Sequence, residues 1–355
     1  MAQTNPSRPS PSEPGPEGPR RPAPGTGPTA VDPRSSPVRV IVRGADGLVT
    51  TDGIDTVPAM PQPKGAIVWV DAAGANAHQV GRIASRLGLH ELIVEDILEG
   101  NQRAKIEVTD DLVHVVMFAL RYGDPIVAVE IDIVLGQGFL LTSHGPDWDP
   151  LASHHLRGEG LAAVLARGPD HLLWAICDDL VDGYFPLLDK LGDEIDLLED
   201  AVIEHGTPQT LERLFDVKRD LIMIRRAAAP VREIFNQLTN RDLALIDGEE
   251  IIYFRDVYDH LIRLTDELDT YRELVSGTLD VYLSTVNNNL SLIMKRLTGI
   301  TVVLAGIAAL GGIFGMSEAG AAFAGTEATG FWLITASIVG LAFLMAYVLR
   351  RIRWI

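Results

Sequence analysis

Two long apolar runs without a charged residue, residues 297–314 and 331–349, lie near the C-terminal end of the chain. As a helix, each run would extend about 27 Å or more, which is close to the ~30 Å thickness of a hydrocarbon core. The pattern predicts a two-helix transmembrane hairpin within residues 291–355. Its first span covers residues 297–316, its outer loop 317–330 and its second span 331–349.

A proline-free stretch of residues 252–314 leads into the first apolar run. Apolar residues recur at heptad-like spacing from Leu261 to Met294, so the stretch predicts one helix on the order of 95 Å long. Helices of this length with an apolar seam usually associate with copies of themselves or with neighbouring helices. The alternative is a helix that packs only against its own chain.

The chain from residue 38 to residue 290, which includes the cytoplasmic part of this long helix, divides into an α/β part and a helical part. Residues 38–150 alternate strand-like and helical patterns, which predicts an α+β cytoplasmic domain built as an α/β sandwich. Residues 151–290 form a helical region that includes the long stalk helix, and Pro230 marks a kink or break. The predicted strands are 38–43, 66–71, 112–120, 126–135 and 138–143, and the helices 76–87, 91–99, 170–203 and 208–240.

Composition narrows the function classes. Residues 1–37 are rich in Pro, Gly and Ser, which predicts a disordered tail. The net charge of −18 argues against nucleic-acid binding. Cys177 is the only cysteine, so no intramolecular disulfide is possible. The nine histidines are scattered and no phosphate-binding loop is present, so we expect neither an enzyme nor an organic cofactor.

The charges that flank the apolar runs predict the topology. Lys295 and Arg296 precede the first run, Arg350, Arg351 and Arg353 follow the second, and residues 317–330 contain no Lys or Arg. The positive-inside rule therefore places both termini in the cytoplasm and the loop outside, in a multi-pass protein of the plasma membrane.

Several short motifs, in order along the chain, resemble the CorA-type divalent metal cation (magnesium/cobalt) transporter family from about residue 66 onward. Residue 104 is Ala where the family usually has Pro. The matching stretches are residues 67–71 (IVWVD), 94–98 (VEDIL), 102–107 (QRAKIE), 253–260 (YFRDVYDH), 279–284 (LDVYLS) and 294–298 (MKRLT).

The resemblance implies a funnel-shaped homopentameric channel in the lipid bilayer. The long helix of each subunit would line a central pore, and the second spans would form an outer ring. The transported ion would be Mg²⁺, with Co²⁺ or Ni²⁺ as further substrates. A Zn²⁺ transporter of the same fold and a non-conducting sensor or regulatory homologue remain as alternatives.

The family ends its first membrane helix with Gly-Met-Asn, and here the matching residues are Gly315, Met316 and Ser317. A ring of Ser317 hydroxyls still offers acceptors to a hydrated Mg²⁺, although Ser317 could instead be only a turn residue. Glu318, in the outer loop, would concentrate cations at the mouth or would be a solvated charge.

The positions that match the pore-facing ones of the family lie on one helical face, apart from a break between Ala305 and Leu297. Met294 and Leu297 would form an apolar constriction that gates by dewetting. The small residues would line the pore, permit tight helix packing, or do both. The six positions are Ser291, Met294, Leu297, Ala305, Ala308 and Gly312.

The resemblance also assigns a regulatory metal site. Asp96 and Asp256 match an acidic pair that binds cytoplasmic Mg²⁺ across the subunit interface of the family. Two carboxylates held close together repel each other unless a cation or a proton lies between them, so bound Mg²⁺ would hold the pore closed. Alternatively, Asp256 pairs with a nearby arginine such as Arg255 or Arg263.

Overall fold

The computed structural model describes residues 36–315 and 327–351, apart from Lys64 and Asp124. It contains one seven-stranded mixed sheet in the order β2-β1-β3-β7-β6-β5-β4. β3 and β7 are parallel, and every other neighbouring pair is antiparallel. The strands are β1 (Val38–Gly44), β2 (Gly47–Asp52), β3 (Ile67–Ala73), β4 (Lys105–Val108), β5 (Leu112–Arg121), β6 (Val127–Gly136) and β7 (Phe139–His144).

Helices account for most of the remaining described chain. The first two lie between β3 and β4, and the others follow the sheet. They are α1 (Ala77–Leu87), α2 (Glu91–Glu99), α3 (Glu159–Arg167), α4 (Pro169–Asp182), α5 (Phe185–His205), α6 (Pro208–Asn240), α7 (Ile251–Gly315) and α8 (Glu327–Arg351). The α/β sheet domain and the long C-terminal helix predicted from the sequence are therefore confirmed.

The sheet is covered on both faces. Val68, Val70 and Leu141 point to the layer of α1 and α2, where they pack with Ile83 and Leu87. The opposite face packs against the helices that follow β7, in a core that continues through α4, α5, α6 and the N-terminal part of α7. The arrangement is a three-layer sandwich whose second helical layer extends into the stalk.

Two expectations for the helical region are corrected. Residues 170–203 form α4 and α5 rather than one helix, and the break lies at Gly183 and Tyr184. Pro186, in the first turn of α5, lacks an N–H and would clash with the carbonyl of the preceding turn in a continuous helix. Pro230 lies inside α6 without ending it, so of the two predicted alternatives the break is wrong and the kink stays a prediction.

The helix α7 changes its environment along its length. Phe254, Leu261 and Leu268 are fully buried against the helices of the same chain. From Leu283 onward most large apolar side chains of α7 are exposed, Leu290 and Met294 among them. At about 1.5 Å per residue the helix is about 98 Å long.

The helix α8 lies beside the C-terminal part of α7. The side chain of Met345 packs closely against Gly306, where a Cβ atom would lie 3.2 Å from its Sδ atom. Within the described residues, one helix (Ile251–Ala309) is long and apolar enough to cross a membrane.

Candidate functional site

The predicted pore-lining residues lie on one uninterrupted helix. At about 100° of rotation per residue, their side chains fall within about 120° of the helix surface. Every one of the six is exposed in the single subunit: Ser291, Met294, Leu297, Ala305, Ala308 and Gly312. In particular, 59% of Met294 and 56% of Leu297 are exposed. The face is therefore continuous in space and is not covered by the rest of the described chain.

The predicted pore entrance is only partly described. Gly315 is the last residue of α7. Met316, Ser317 and Glu318 lie outside the described residues, so their roles stay predictions.

Asp96, the first predicted regulatory residue, lies in α2, which begins at the His90 side-chain cap and ends at Gly100 in the left-handed conformation. Its carboxylate pairs with the Lys105 ammonium, with an Oδ2–Nζ distance of 2.7 Å. The same ammonium lies 2.7 Å from Oε1 of Glu107. Burial lowers the pKa of Lys105, but its hydrogen bonds to Asp96 and Glu107 outweigh burial, so the pKa lies above its usual value.

Asp256, the second predicted regulatory residue, lies near the N-terminal end of α7, and 69% of its side chain is exposed. Its nearest ion-pair partner in the described residues is His260, with an Nε2–Oδ2 distance of 3.8 Å, rather than Arg255 or Arg263. His260 also approaches Asp182 of α4, with an Nδ1–Oδ1 distance of 3.4 Å. Asp256 therefore keeps an accessible carboxylate at the junction of α4 and α7.

Acidic side chains continue from this junction along α4. Possible ligand atoms of Asp178, Asp182 and His260 lie within 4.8 Å of one another. Burial, and then the charge of Asp178, raise the pKa of Asp182. Oδ2 of Asp178 lies 2.8 Å from Nε2 of His155, and this hydrogen bond raises the pKa of that histidine. The junction thus attracts positive charge.

A second cluster was missed by the sequence reasoning. Possible ligand atoms of Asp96, Glu107 and His114 lie within 4.8 Å of one another. His114 is directly opposite Glu107 in the β4–β5 ladder, and its Nε2 lies 2.9 Å from Oδ1 of Asp132. The available signal was the pair of polar residues, His114 and Asp132, within two strand patterns that are mostly apolar.

Comparison with known proteins places the chain in a family. Residues 64–351 match the family described as "CorA-like Mg2+ transporter protein". The chain belongs to this CorA family. The resemblance inferred from the motifs is therefore confirmed, and the family is one of transporters rather than enzymes.

Individual CorA relatives agree with this assignment. "Cobalt/magnesium transport protein CorA" of Thermotoga maritima is 35% identical over 256 residues, covering 70% of this chain and 72% of the relative. The protein of the same name from Methanocaldococcus jannaschii is 23% identical over 320 residues, covering 90% and 100%. These names make magnesium and cobalt transport the activity to be tested.

A solved structure shows that the fold is shared. The complete structure of the CorA magnesium transporter from Methanocaldococcus jannaschii superposes with a TM-score of 0.76 at 22% sequence identity. The match covers 89% of this chain and 98% of the other. It therefore includes the long helix as well as the sheet domain.

Proposed function

We propose that this chain carries divalent cations, principally Mg²⁺, across a membrane through a pore formed by five copies of its long helix. Membership of the CorA family and the membrane-spanning character of α7 support the proposal. The single observation that carries it is the exposed face of α7, where all six predicted pore-lining residues are uncovered.

The exposed part of α7 needs two kinds of environment. A soluble monomer rarely exposes a continuous apolar surface of this length. Lipid would cover the side of the helix that faces outward, and the α7 helices of other copies would cover the side that faces the axis. Leu283 and Leu290, about half exposed in the single subunit, would then lie at contacts between subunits.

The pore face combines small residues with one apolar constriction. Ala305, Ala308 and Gly312 leave room on the axis for a hydrated ion, which suits Mg²⁺ because it loses its water shell reluctantly. Met294 and Leu297 project further, and a ring of such side chains would stop conduction by excluding water when the helices close. A ring of Ser317 would accept hydrogen bonds from the ion's water shell at the entrance.

Cytoplasmic Mg²⁺ would regulate this pore. The exposed carboxylate of Asp256 is available to a neighbouring copy, and Asp96 of that copy would complete the site. Mg²⁺ would have to compete with Lys105 for Asp96, since the ammonium already lies 2.7 Å from its carboxylate. Bound Mg²⁺ favours the closed state by its higher affinity for it, and loss of Mg²⁺ permits opening.

Transport is tested by Mg²⁺ uptake into liposomes that contain the purified full-length chain. We expect uptake that is saturable and that stops when the internal Mg²⁺ is high. Uptake of Zn²⁺ but not Mg²⁺ would support the zinc alternative. A well-folded pentamer without any flux would favour a sensor and refute the transport proposal.

Two sets of variants test the assigned residues. Ser317→Asn should retain flux and Ser317→Ala should reduce it; equal flux in all three proteins would remove the hydroxyl from the mechanism. Asp256→Lys should abolish the protection that Mg²⁺ gives against proteolysis. Asp259→Lys, which changes an exposed aspartate one turn away, is the matched control and should leave the protection intact.

A further inference from the structure

A cluster of polar side chains lies under α2, on the face of the sheet that this helix covers. The antiparallel register places His114 of β5 opposite Glu107 of β4. Val116, two residues after His114 in β5, is opposite Lys105 of β4 on one side and opposite Asp132 of β6 on the other. The side chains of Lys105 and Asp132 therefore lie on the same face of the sheet as His114. Leu112 of β5 and Val134 of β6 lie on the same face, where they belong to the apolar cluster that includes residues of α1 and α2.

The burial and hydrogen bonding of His114 indicate what this cluster could bind. The residue is 0% exposed, and its Nδ1 atom has no hydrogen-bond partner in the described residues. Its Nε2 atom lies 2.9 Å from the carboxylate of Asp132, which can only accept a hydrogen bond when ionised. We therefore assign the proton to Nε2, which leaves a buried lone pair on Nδ1.

A histidine held in this way has the arrangement of a metal ligand. Metal-binding histidines usually donate their other ring N–H to a carboxylate, which fixes the tautomer and orients the ring. One carboxylate oxygen each of Asp96 and Glu107 and one ring nitrogen of His114 already lie within 4.8 Å of one another. Two donors at about 2.1 Å from a tetrahedral ion stand about 3.4 Å apart, so small side-chain movements would complete the geometry.

The position of Lys105 shows that the space between Asp96 and Glu107 accepts a positively charged group. Its ammonium bridges Asp96 and Glu107, at 2.7 Å from each carboxylate. The lysine side chain is 27% exposed, and its flexible stem can carry the ammonium to solvent. Glu130 lies two residues before Asp132 in the same strand, and among the described residues one of its buried carboxylate oxygens has no hydrogen-bond partner.

We propose that Asp96, Glu107 and His114 form a binding site within one subunit for a transition-metal dication of the Zn²⁺, Co²⁺ or Ni²⁺ class. The ion enters when Lys105 moves to solvent. One imidazole nitrogen with two carboxylate oxygens suits these ions, whereas Mg²⁺ prefers oxygen ligands alone. Asp132 is a positioning residue that orients the His114 ring.

The site has a regulatory consequence that rests on the proposed function. Asp96 is also the residue that would bind Mg²⁺ together with Asp256 of a neighbouring copy. A transition metal held by His114 would occupy Asp96 within its own subunit, so that it would compete with closure by Mg²⁺. The cell's Zn²⁺ or Co²⁺ would then set how much Mg²⁺ is needed to close the pore.

The test is metal binding to the purified full-length chain, stripped of metal and dialysed against Zn²⁺ in a millimolar excess of Mg²⁺. We expect the wild-type chain to bind one more zinc ion per subunit than His114→Gln. Lys105→Met should bind that ion at least about tenfold more tightly, since the competing ammonium is gone. Asp132→Asn should bind it about 10–100-fold more weakly.

The controls separate this site from the others. His260→Gln removes the histidine of the α4–α7 junction, and in that background His114→Gln should still cost one zinc ion per subunit. Equal zinc stoichiometry in the wild type and His114→Gln would overturn the proposal. So would an unchanged affinity in Lys105→Met, a variant that does not depend on the fold tolerating a change at the buried histidine. Zinc binding through His114 in a protein without Mg²⁺ flux would refute transport and leave this site standing.

Discussion

The stability of this protein should depend on the ionisation of Glu130 in β6. Burial is the largest cause of its raised pKa, followed by the charge of Asp132, with Asp96 adding to the effect. The Gln102 N–H and His114 oppose the shift, but the pKa still rises from 4.5 to about 7. Glu130 therefore holds a proton in the folded chain at pH values where it is ionised in the unfolded chain.

The sign of the effect follows from proton linkage. Between pH 4.5 and about 7 the folded chain binds more protons than the unfolded chain, so stability falls as the pH rises through this window and is level above it. At about 1.36 kcal/mol per unit of pKa shift, the loss in the free energy of unfolding across the window would be about 3.4 kcal/mol. Because Glu130 is only partly buried, we expect solvent screening to reduce the effect to about 1–2 kcal/mol.

Glu130→Gln removes the ionisation while retaining an oxygen that can accept from Gln102. We expect the variant to be more stable than the wild type by about 1–2 kcal/mol near pH 8 and equal to it near pH 4, below the window. The assay is unfolding of the full-length protein in detergent across this range, with a chelator present to exclude metal effects. Glu212→Gln, which changes an exposed glutamate of α6, is the control. Parallel pH profiles for the wild type and Glu130→Gln would refute the reasoning.

Three further predictions concern other parts of the chain. Glu250→Ala should lower the free energy of unfolding by about 3 kcal/mol relative to the control Glu249→Ala. The Glu250 carboxylate lies 2.7 Å from Arg167 and 2.6 Å from His171, and the variant leaves both side chains without this partner. Gly306→Ile should weaken the packing of α7 against α8, since a Cβ atom there would already lie 3.2 Å from Sδ of Met345; an unchanged thermal unfolding midpoint in detergent would contradict this close packing. Cys177 is buried and burial raises the pKa of its thiol, so a maleimide should label it only after unfolding, and rapid labelling of the folded protein would show that the α4 core opens.

The apolar pattern was sufficient for most of the architecture, because burial imposes a regular period on each element. It predicted α7 to within a residue at each end, and it predicted β5 and β6 from their Val- and Ile-rich runs. It missed β2 and β4, the two edge strands of the sheet. Edge strands bury little, so β2 has mainly exposed side chains and β4 carries Lys105 and Glu107.

The candidate sites were less predictable because they depend on contacts between distant residues. Asp96 was assigned through the resemblance to a family, but its partner Lys105 became evident only when α2 was placed over β4. His114 and Asp132 are diagonal neighbours on one face of a hairpin, and a count of histidines along the chain could not reveal this. The sequence shows which polar side chains are present, whereas the register of the sheet is needed to know which of them are neighbours.

Because α7 is continuous, it can transmit a movement from one end to the other as well as line the proposed pore. One unbroken helix joins Asp256, at the junction with α4, to Gly315, at the predicted entrance. Over its length of about 98 Å, a tilt of only about 1° displaces the far end by about 1.7 Å. Under the proposed function, exchange of a single ion near Asp256 would therefore be geometrically amplified. Rearrangements too small to disturb the buried core around the N-terminal part of α7 would suffice to change the width of a ring formed by the other ends of the α7 helices.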